Sequence, residues 1–231
     1  MPMARGLREN RNEVGGSEMK KLMGRLTKKL RYVVNGKFRP GINARNRKKL
    51  NNEKITLIAS NCNGCLMLHD LGVKFQSPFV NLFIRAEDFL RLLQNFDYYM
   101  SLELDFPENQ TLEYPVAYLG DIRLDCVHYA TKEEVVEKWN VRKARMDMSN
   151  CFIMFTDRDG CSEEHLRAFD ALPFERKVVF THKPYPKIQS ACYSPGFEKQ
   201  GCVGNLNHYR GWFGEKYFDT FDYVSWFNGE M

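Results

Sequence analysis

The chain has 231 residues, with 34 lysines and arginines against 29 aspartates and glutamates, a formal charge of +5. Its 43% hydrophobic and 27% charged content excludes collagen-like, low-complexity and wholly disordered chains. No run of about 18 apolar residues exists to cross a bilayer, and the N-terminus lacks the apolar core of a secretory signal. The seven cysteines are odd in number. Several sit in apolar runs such as Cys151-Phe-Ile-Met-Phe155 and read as free thiols, so a cytoplasmic protein is expected.

The charge is unevenly distributed. Residues 1–50 hold 15 basic and three acidic residues, or +12, which leaves 19 basic and 26 acidic residues, or −7, for 51–231. This split divides the chain into a basic arm, 1–53, and a body, 54–231. Residues 1–16 are polar and are expected to be disordered. From Ser17, the residues Met19, Leu22, Met23, Leu26, Leu30 and Val33 recur at helical spacing, with Gly36 as a stop signal. Two readings of this basic amphipathic helix stay open. It lies on an anionic membrane surface through residues 17–50, as a peripheral contact on the inner face, or its stripe docks on the body. Nucleic acid is disfavoured, because aromatic residues for base stacking are nearly absent from the arm. Residues 35–53, with Pro40-Gly41, read as a linker.

The body alternates strands and helices. Strands are expected at 55–59, 79–84, 114–119, 122–129, 151–155 and 177–181. Helices are expected at 65–71, 86–99, from the Thr131-Lys-Glu-Glu134 capping box to about 146, and from Ser162 to about 172. Alternation of this kind predicts an α/β fold, a three-layer sandwich with a mostly parallel or mixed sheet. The glycine- and aromatic-rich tail from Gly196 is expected to wrap the body.

Two turns carry candidate chemistry. Asp157-Arg-Asp159 follows an apolar strand directly, and ligands of open α/β sheets bind beyond the carboxyl ends of strands. Carboxylates one residue apart can hold a divalent cation, Mg or Mn, which would neutralise a diphosphate leaving group. This arrangement looks like the metal site of many nucleotide-sugar glycosyltransferases; a plain turn is the alternative reading. Ser60-Asn-Cys-Asn-Gly64 joins a strand to a helix whose N-terminus attracts anions and lowers a thiol pKa. That makes Cys62 a candidate nucleophile, with His128 or His182 as its base. Lys138 and Arg142 share a helical face and are candidate phosphate ligands, although a solvated face is the commoner origin of such a row.

An ordered set of motifs resembles one family over residues 54–231. The set comprises Ser60-Asn-Cys-Asn-Gly64, Ser77-Pro-Phe-Val-Asn-Leu-Phe83, Tyr114-Pro-Val, Asp121-Ile, His128-Tyr129, Lys138-Trp139, Asp157-Arg-Asp-Gly-Cys161, Leu172-Pro-Phe174 and Val179-Phe-Thr181. It resembles domain-of-unknown-function family nineteen-nineteen, whose members are often labelled exopolysaccharide or capsule biosynthesis proteins. Here Asn63 stands where that family has tryptophan, and Cys65 and Asn81 where it has glycine. The resemblance implies an α/β fold and a surface-glycan setting. The expected function is therefore a transferase of surface-polysaccharide biosynthesis acting on a nucleotide-sugar or lipid-linked glycan. Asp157 and Asp159 are the expected metal ligands, Asn61, Lys138 and Arg142 the substrate ligands, and Cys62, Asp121 and His128 the catalytic candidates. A Cys62–His128 acyltransferase or hydrolase and a non-catalytic glycan- or nucleotide-sugar-binding protein are the alternatives.

Overall fold

A computed structural model describes the backbone of residues 6–108 and 110–231, and side chains from Leu22 onward. Residues 1–5 of the expected disordered start lie outside the described residues, as does the side chain of Met19. Helix α1 runs Gly6–Lys49, so it begins before Ser17 and continues through Gly36 and Pro40, where a stop and a linker were expected. Tertiary bonds hold it past those breakers, which weak local propensity alone would not do.

The chain forms two compact units, described in turn. One is α1 as far as Ile42 together with Tyr209–Glu215. Its bonds centre on the fully buried Asn35, whose Nδ2 donates to the Arg31 and Gly211 carbonyls, each at 2.8 Å. Asn35 Oδ1 accepts from the Gly214 amide at 2.6 Å. Tyr32 meets Tyr209 and Phe38 meets Phe213 edge-on, at ring separations of 5.9 and 5.5 Å. Gly214 has φ +86°, and a Cβ there would stand 2.7 Å from the Arg39 backbone nitrogen, so only glycine lets the loop lie this close to the helix.

The other unit, Asn43–His208 with Lys216–Met231, is the α/β body. Its sheet contains β1 (Thr56–Ala59), β4 (Cys151–Thr156), β5 (Lys177–Thr181) and β6 (Ala191–Tyr193) in that order, all parallel. Helix α2 (Asn63–Leu71) follows β1. Then come α3 (Ala86–Gln94), α4 (Phe96–Ser101), the hairpin β2–β3 (Val116–Leu119 and Ile122–Asp125) and α5 (Lys132–Lys143), all before β4. Helix α6 (Glu163–Asp170) joins β4 to β5, and α7 (Tyr223–Phe227) closes the tail.

Strand alternation sorts the core into two layers. Ile58, Ile153, Phe155 and Val179 point to one side, against Phe89 of α3, Trp139 of α5 and Phe169 of α6. Leu57, Phe152, Met154, Val178 and Phe180 point to the other, against Met67 and Leu68 of α2 and against Phe218, Phe221, Trp226 and Phe227 of the tail. The expected three-layer α/β fold with a parallel sheet is present, and the tail supplies much of one layer.

Several elements differ from the sequence reading. Residues 79–84 form an isolated bridge at Phe83–Asp125 in place of a strand, because Asn81 takes φ +61° and breaks the extended run. The helix expected over 86–99 breaks at Asn95, whose φ of −129° is not helical. The strands at 116–119 and 122–125 form a separate two-stranded sheet around Gly120. Strand β6 and helix α7 were not foreseen, being three and five residues long. Thr131 does cap α5, its hydroxyl accepting from the Glu134 amide at 3.2 Å, while the Glu134 carboxylate accepts from the Ala130 amide at 3.2 Å.

Candidate functional site at the carboxyl ends of the strands

Beyond their last paired residues, β1, β4 and β5 carry Asn61, Asp157 and His182 as near neighbours on one edge of the sheet. The Ser60 amide bonds to the Met154 carbonyl at 3.2 Å and the Asp157 amide to the Phe180 carbonyl at 3.0 Å. These two bonds fix how far each loop stands beyond the sheet.

Asp157 is buried and fully engaged. Its Oδ1 accepts from the Val203 amide at 2.7 Å. Its Oδ2 accepts from the His182 amide at 2.7 Å and lies 2.5 Å from His182 Nδ1. With Nδ1 facing the carboxylate, Nε2 is the ring nitrogen left for a further partner. The His182 side chain is mostly buried, 12% exposed.

Asn61 ties the end of β1 to the end of β4. Its Nδ2 donates to Thr156 Oγ1 at 2.8 Å and to Asp159 Oδ2 at 3.4 Å. Its Oδ1 accepts from Asn63 Nδ2 at 2.9 Å and from the Asn63 amide at 3.2 Å. Asn63 Oδ1 in turn accepts from the Leu206 amide at 3.2 Å, so the loop holding Val203 and Leu206 is pinned to both strand ends. Asp159 sits at φ +63°, and burial pushes its carboxyl above the usual carboxylate range, against the pull of Arg158 and Asn61. Arg158 faces Asp159 at 3.8 Å and donates to the Gly204 carbonyl at 3.2 Å.

Gly64 sets the approach of α2. A Cβ there would meet Leu57 Cδ2 at 2.8 Å, Ala59 Cβ at 3.0 Å and Met154 Sδ at 3.2 Å. The missing side chain lets the first turn of the helix lie directly on β1 and β4.

The thiols here are not activated as expected for Cys62. Its pKa is raised, first by the hydrogen bond with the Cys65 thiol and then by burial. Cys65 is the member of the pair pushed down, by that same bond, with help from Asn81 and the nearby positive charge of Arg142. Cys65 Sγ also lies 3.0 Å from the Cys62 carbonyl and is buried. Cys161 is pushed up to about 12 by burial and by the charges of Asp157 and Asp159.

The remaining candidates stand apart from this cluster. Asp121 is at the exposed tip of the β2–β3 hairpin and accepts from Tyr99 Oη at 2.7 Å and from Arg91, which hold its carboxyl below the usual range. His128 is exposed, and no hydrogen bond joins it to Cys62 among the described residues. Lys138 pairs with Glu137 at 2.9 Å. Arg142 is nearer the site: it donates to Tyr129 Oη at 2.6 Å, covers Phe75 at 5.6 Å and acts on Cys65. Among the described residues no three or more His, Cys, Asp and Glu side chains are grouped to hold a metal ion. Sequence reading named Asp157 and His182 separately. The signal for the pair was the His that directly follows the apolar run 177–181, one strand over from the Asp that follows 151–156.

A family model described as "Domain of unknown function (DUF1919)" matches residues 33–228. A protein of Haemophilus influenzae named "Uncharacterized protein" is 48% identical over 200 residues, covering 87% of this chain and 97% of the relative. No helix among the described residues is long and apolar enough to cross a membrane.

Proposed function

The chain belongs to the DUF1919 family, and from that premise and the geometry above we propose that it is a transferase of surface-polysaccharide biosynthesis whose general base is His182. The observation that carries this reading is the buried Asp157 carboxylate bonded to His182 Nδ1 at the carboxyl end of the two central strands. A buried carboxylate in that position fixes the tautomer, orients the ring and stabilises the imidazolium that forms when Nε2 takes a proton. The donor is a nucleotide-sugar and the acceptor a glycan hydroxyl, free or lipid-linked. His182 Nε2 takes the hydroxyl proton while the oxygen bonds to the anomeric carbon. The bond from that carbon to the phosphate oxygen breaks, and the nucleoside diphosphate leaves with the electron pair. Asn61 and Asp159 offer polar contacts to sugar hydroxyls beside the base, and Arg158 offers charge for the phosphates. The surface-glycan setting itself rests on the family resemblance.

This reading gives Asp157 a different task from the one its motif suggests. Both of its oxygens are held by protein donors. A divalent cation shared with Asp159 would have to compete with the Val203 and His182 bonds. The raised thiol of Cys62 counts against acyl transfer through that residue.

The test is nucleoside-diphosphate release from a panel of nucleotide-sugars, with oligosaccharide acceptors, by the full-length protein and by His182→Gln. Loss of a general base lowers turnover by roughly 10²–10⁴-fold, and the variant should melt within a few degrees of the parent. No release by the parent on any donor, binding without turnover, or full activity in His182→Gln would overturn the proposal. Titration with manganese and with a chelator distinguishes the metal-dependent version: release unchanged by both fits a base that works alone.

A further inference from the structure

We propose that the α1 unit is a docking element for anionic lipid bilayers, with the Leu22–Val33 face of the helix as its contact. The inference concerns the unit formed by α1 and Tyr209–Glu215 and does not rest on the reaction assigned to the strand ends.

The helix carries an apolar stripe that the fold leaves open. Leu22, Met23, Leu26, Leu30 and Val33 are between 51% and 63% exposed. At 3.6 residues per turn they fall within an arc of about 100°, the width of one helix face. Soluble chains seldom leave that much contiguous aliphatic surface without a partner. The unit's own loop does not provide that partner. Asn35 and Arg39, the two residues buried against Tyr209–Glu215, project about half a turn away from the stripe. The intramolecular partner therefore takes the opposite face.

Charge identifies the occupant. Residues 20–49 contain 12 lysines and arginines and no aspartate or glutamate. Arg25, Lys28, Lys29 and Arg31 lie outside the apolar arc. Such a helix settles in the headgroup boundary of an anionic membrane, apolar face down, its long cationic side chains reaching up to lipid phosphates. Burial of the stripe and attraction to the surface potential then act together, and only the second is weakened by salt.

A second copy of the chain fits less well. Met23, Leu26, Leu30 and Val33 also match a short a/d seam, but stable coiled coils sustain at least three or four heptads. Pairing two of these helices in parallel register would set the basic residues 20–49 of one against those of the other, since the acidic residues of α1, Glu9, Glu13 and Glu18, all precede that stretch.

Flotation of the full-length protein with vesicles tests the proposal, using phosphatidylcholine alone and phosphatidylcholine mixed with phosphatidylglycerol. Binding is expected on the anionic vesicles, with little on the neutral ones. It should fall severalfold on going from about 0.1 M to about 1 M salt without vanishing. Leu26→Glu with Leu30→Glu should lower the bound fraction at least roughly tenfold, and Arg25→Glu with Lys29→Glu, on one flank of the stripe, should lower it at low salt. All four positions lie on the helix surface or beside its exposed stripe, and circular dichroism should report an unchanged fold. Absence of flotation by the parent, equal binding to neutral vesicles, or unchanged binding of the Leu26/Leu30 variant would each overturn the proposal. So would a dimer by gel filtration that the same variant disperses while the parent fails to float, which would assign the face to a second copy.

Discussion

Asp159 shows how one residue records a conflict between folding and use. Its backbone is in the left-handed region, which asparagine tolerates better than most residues, and its carboxyl is half-enclosed with one weak donor, Asn61. Burial raises its pKa. The folded state therefore holds a proton on Asp159 over a range where the unfolded chain has released it. Its contribution to stability is present in full below the unfolded pKa and is lost as pH rises through the folded value. At neutral pH the ionised group is a burden. Asp159→Asn should raise the melting temperature at pH 7, and the gain should shrink as the pH is lowered to about 4, near the ordinary aspartate value. Melting curves at both pH values check this; a variant less stable than the parent at pH 7 would show that the carboxylate has a stabilising partner. A stabilised variant with impaired turnover would mark Asp159 as a residue kept for chemistry. Asn81 carries a related lesson. It takes a positive φ, which asparagine adopts more readily than most non-glycine residues, so the turn forms without a glycine.

At the scale of elements, the site depends on how closely α2 approaches the sheet. The helix has no side-chain N-cap bond, and Cys62 precedes it in helical geometry. Its placement comes instead from Gly64 against Leu57, Ala59 and Met154. Gly64→Ala would gain helix propensity, but it forces a methyl to within 3 Å of β1. Overpacking of this kind costs about 1–3 kcal/mol, more than the ~1 kcal/mol that alanine gains over glycine in a helix. A net loss in chemical denaturation is the expected outcome, with the Asn61–Asn63 turn shifted enough to loosen the Leu206 contact. Stability equal to or above the parent would show that α2 can move outward without harm. The α1 helix makes the complementary point: Pro40 sits inside it, and the bonds of Asn35 and Arg39 to the 211–214 loop compensate for the break.

Over the α/β body as a whole, the tail decides whether the sheet has two covered faces. Without residues 216–231, Phe152 and Phe180 would lose the aromatic layer of Phe218, Phe221, Trp226 and Phe227. Trp226 is the hub, edge-on to Phe152 at 5.0 Å and to Phe221 at 5.5 Å, and tilted against Phe227 at 4.9 Å. Trp226→Ala should cost about 3–5 kcal/mol, read by urea denaturation. A loss below ~1 kcal/mol would place the tail outside the cooperative core. A parallel sheet must be covered on both faces, and α2 alone cannot cover one of them.

The sequence by itself was enough for the fold class, for most of the long elements and for the charge division. Short continuous apolar runs such as 151–156 and 177–181, period-3.6 runs such as 86–94 and caps at Thr131 and Ser162 are local signals. They need only neighbours in the chain. The sequence also marked Asn61, Asp157 and Asp159 as loop residues after strands, which the fold gathers on one edge. What it left undecided was every pairing across distance. That Asp157 meets His182 depended on the β4–β5 register. Whether Cys62 was activated depended on where the Cys65 thiol pointed. Whether Pro40 ended a helix depended on a loop more than 170 residues further along the chain. Short elements such as β6 and α7 carry too few residues for a period to show. They form because tertiary burial and hydrogen bonding stabilise them, and those terms exist only once the chain has folded.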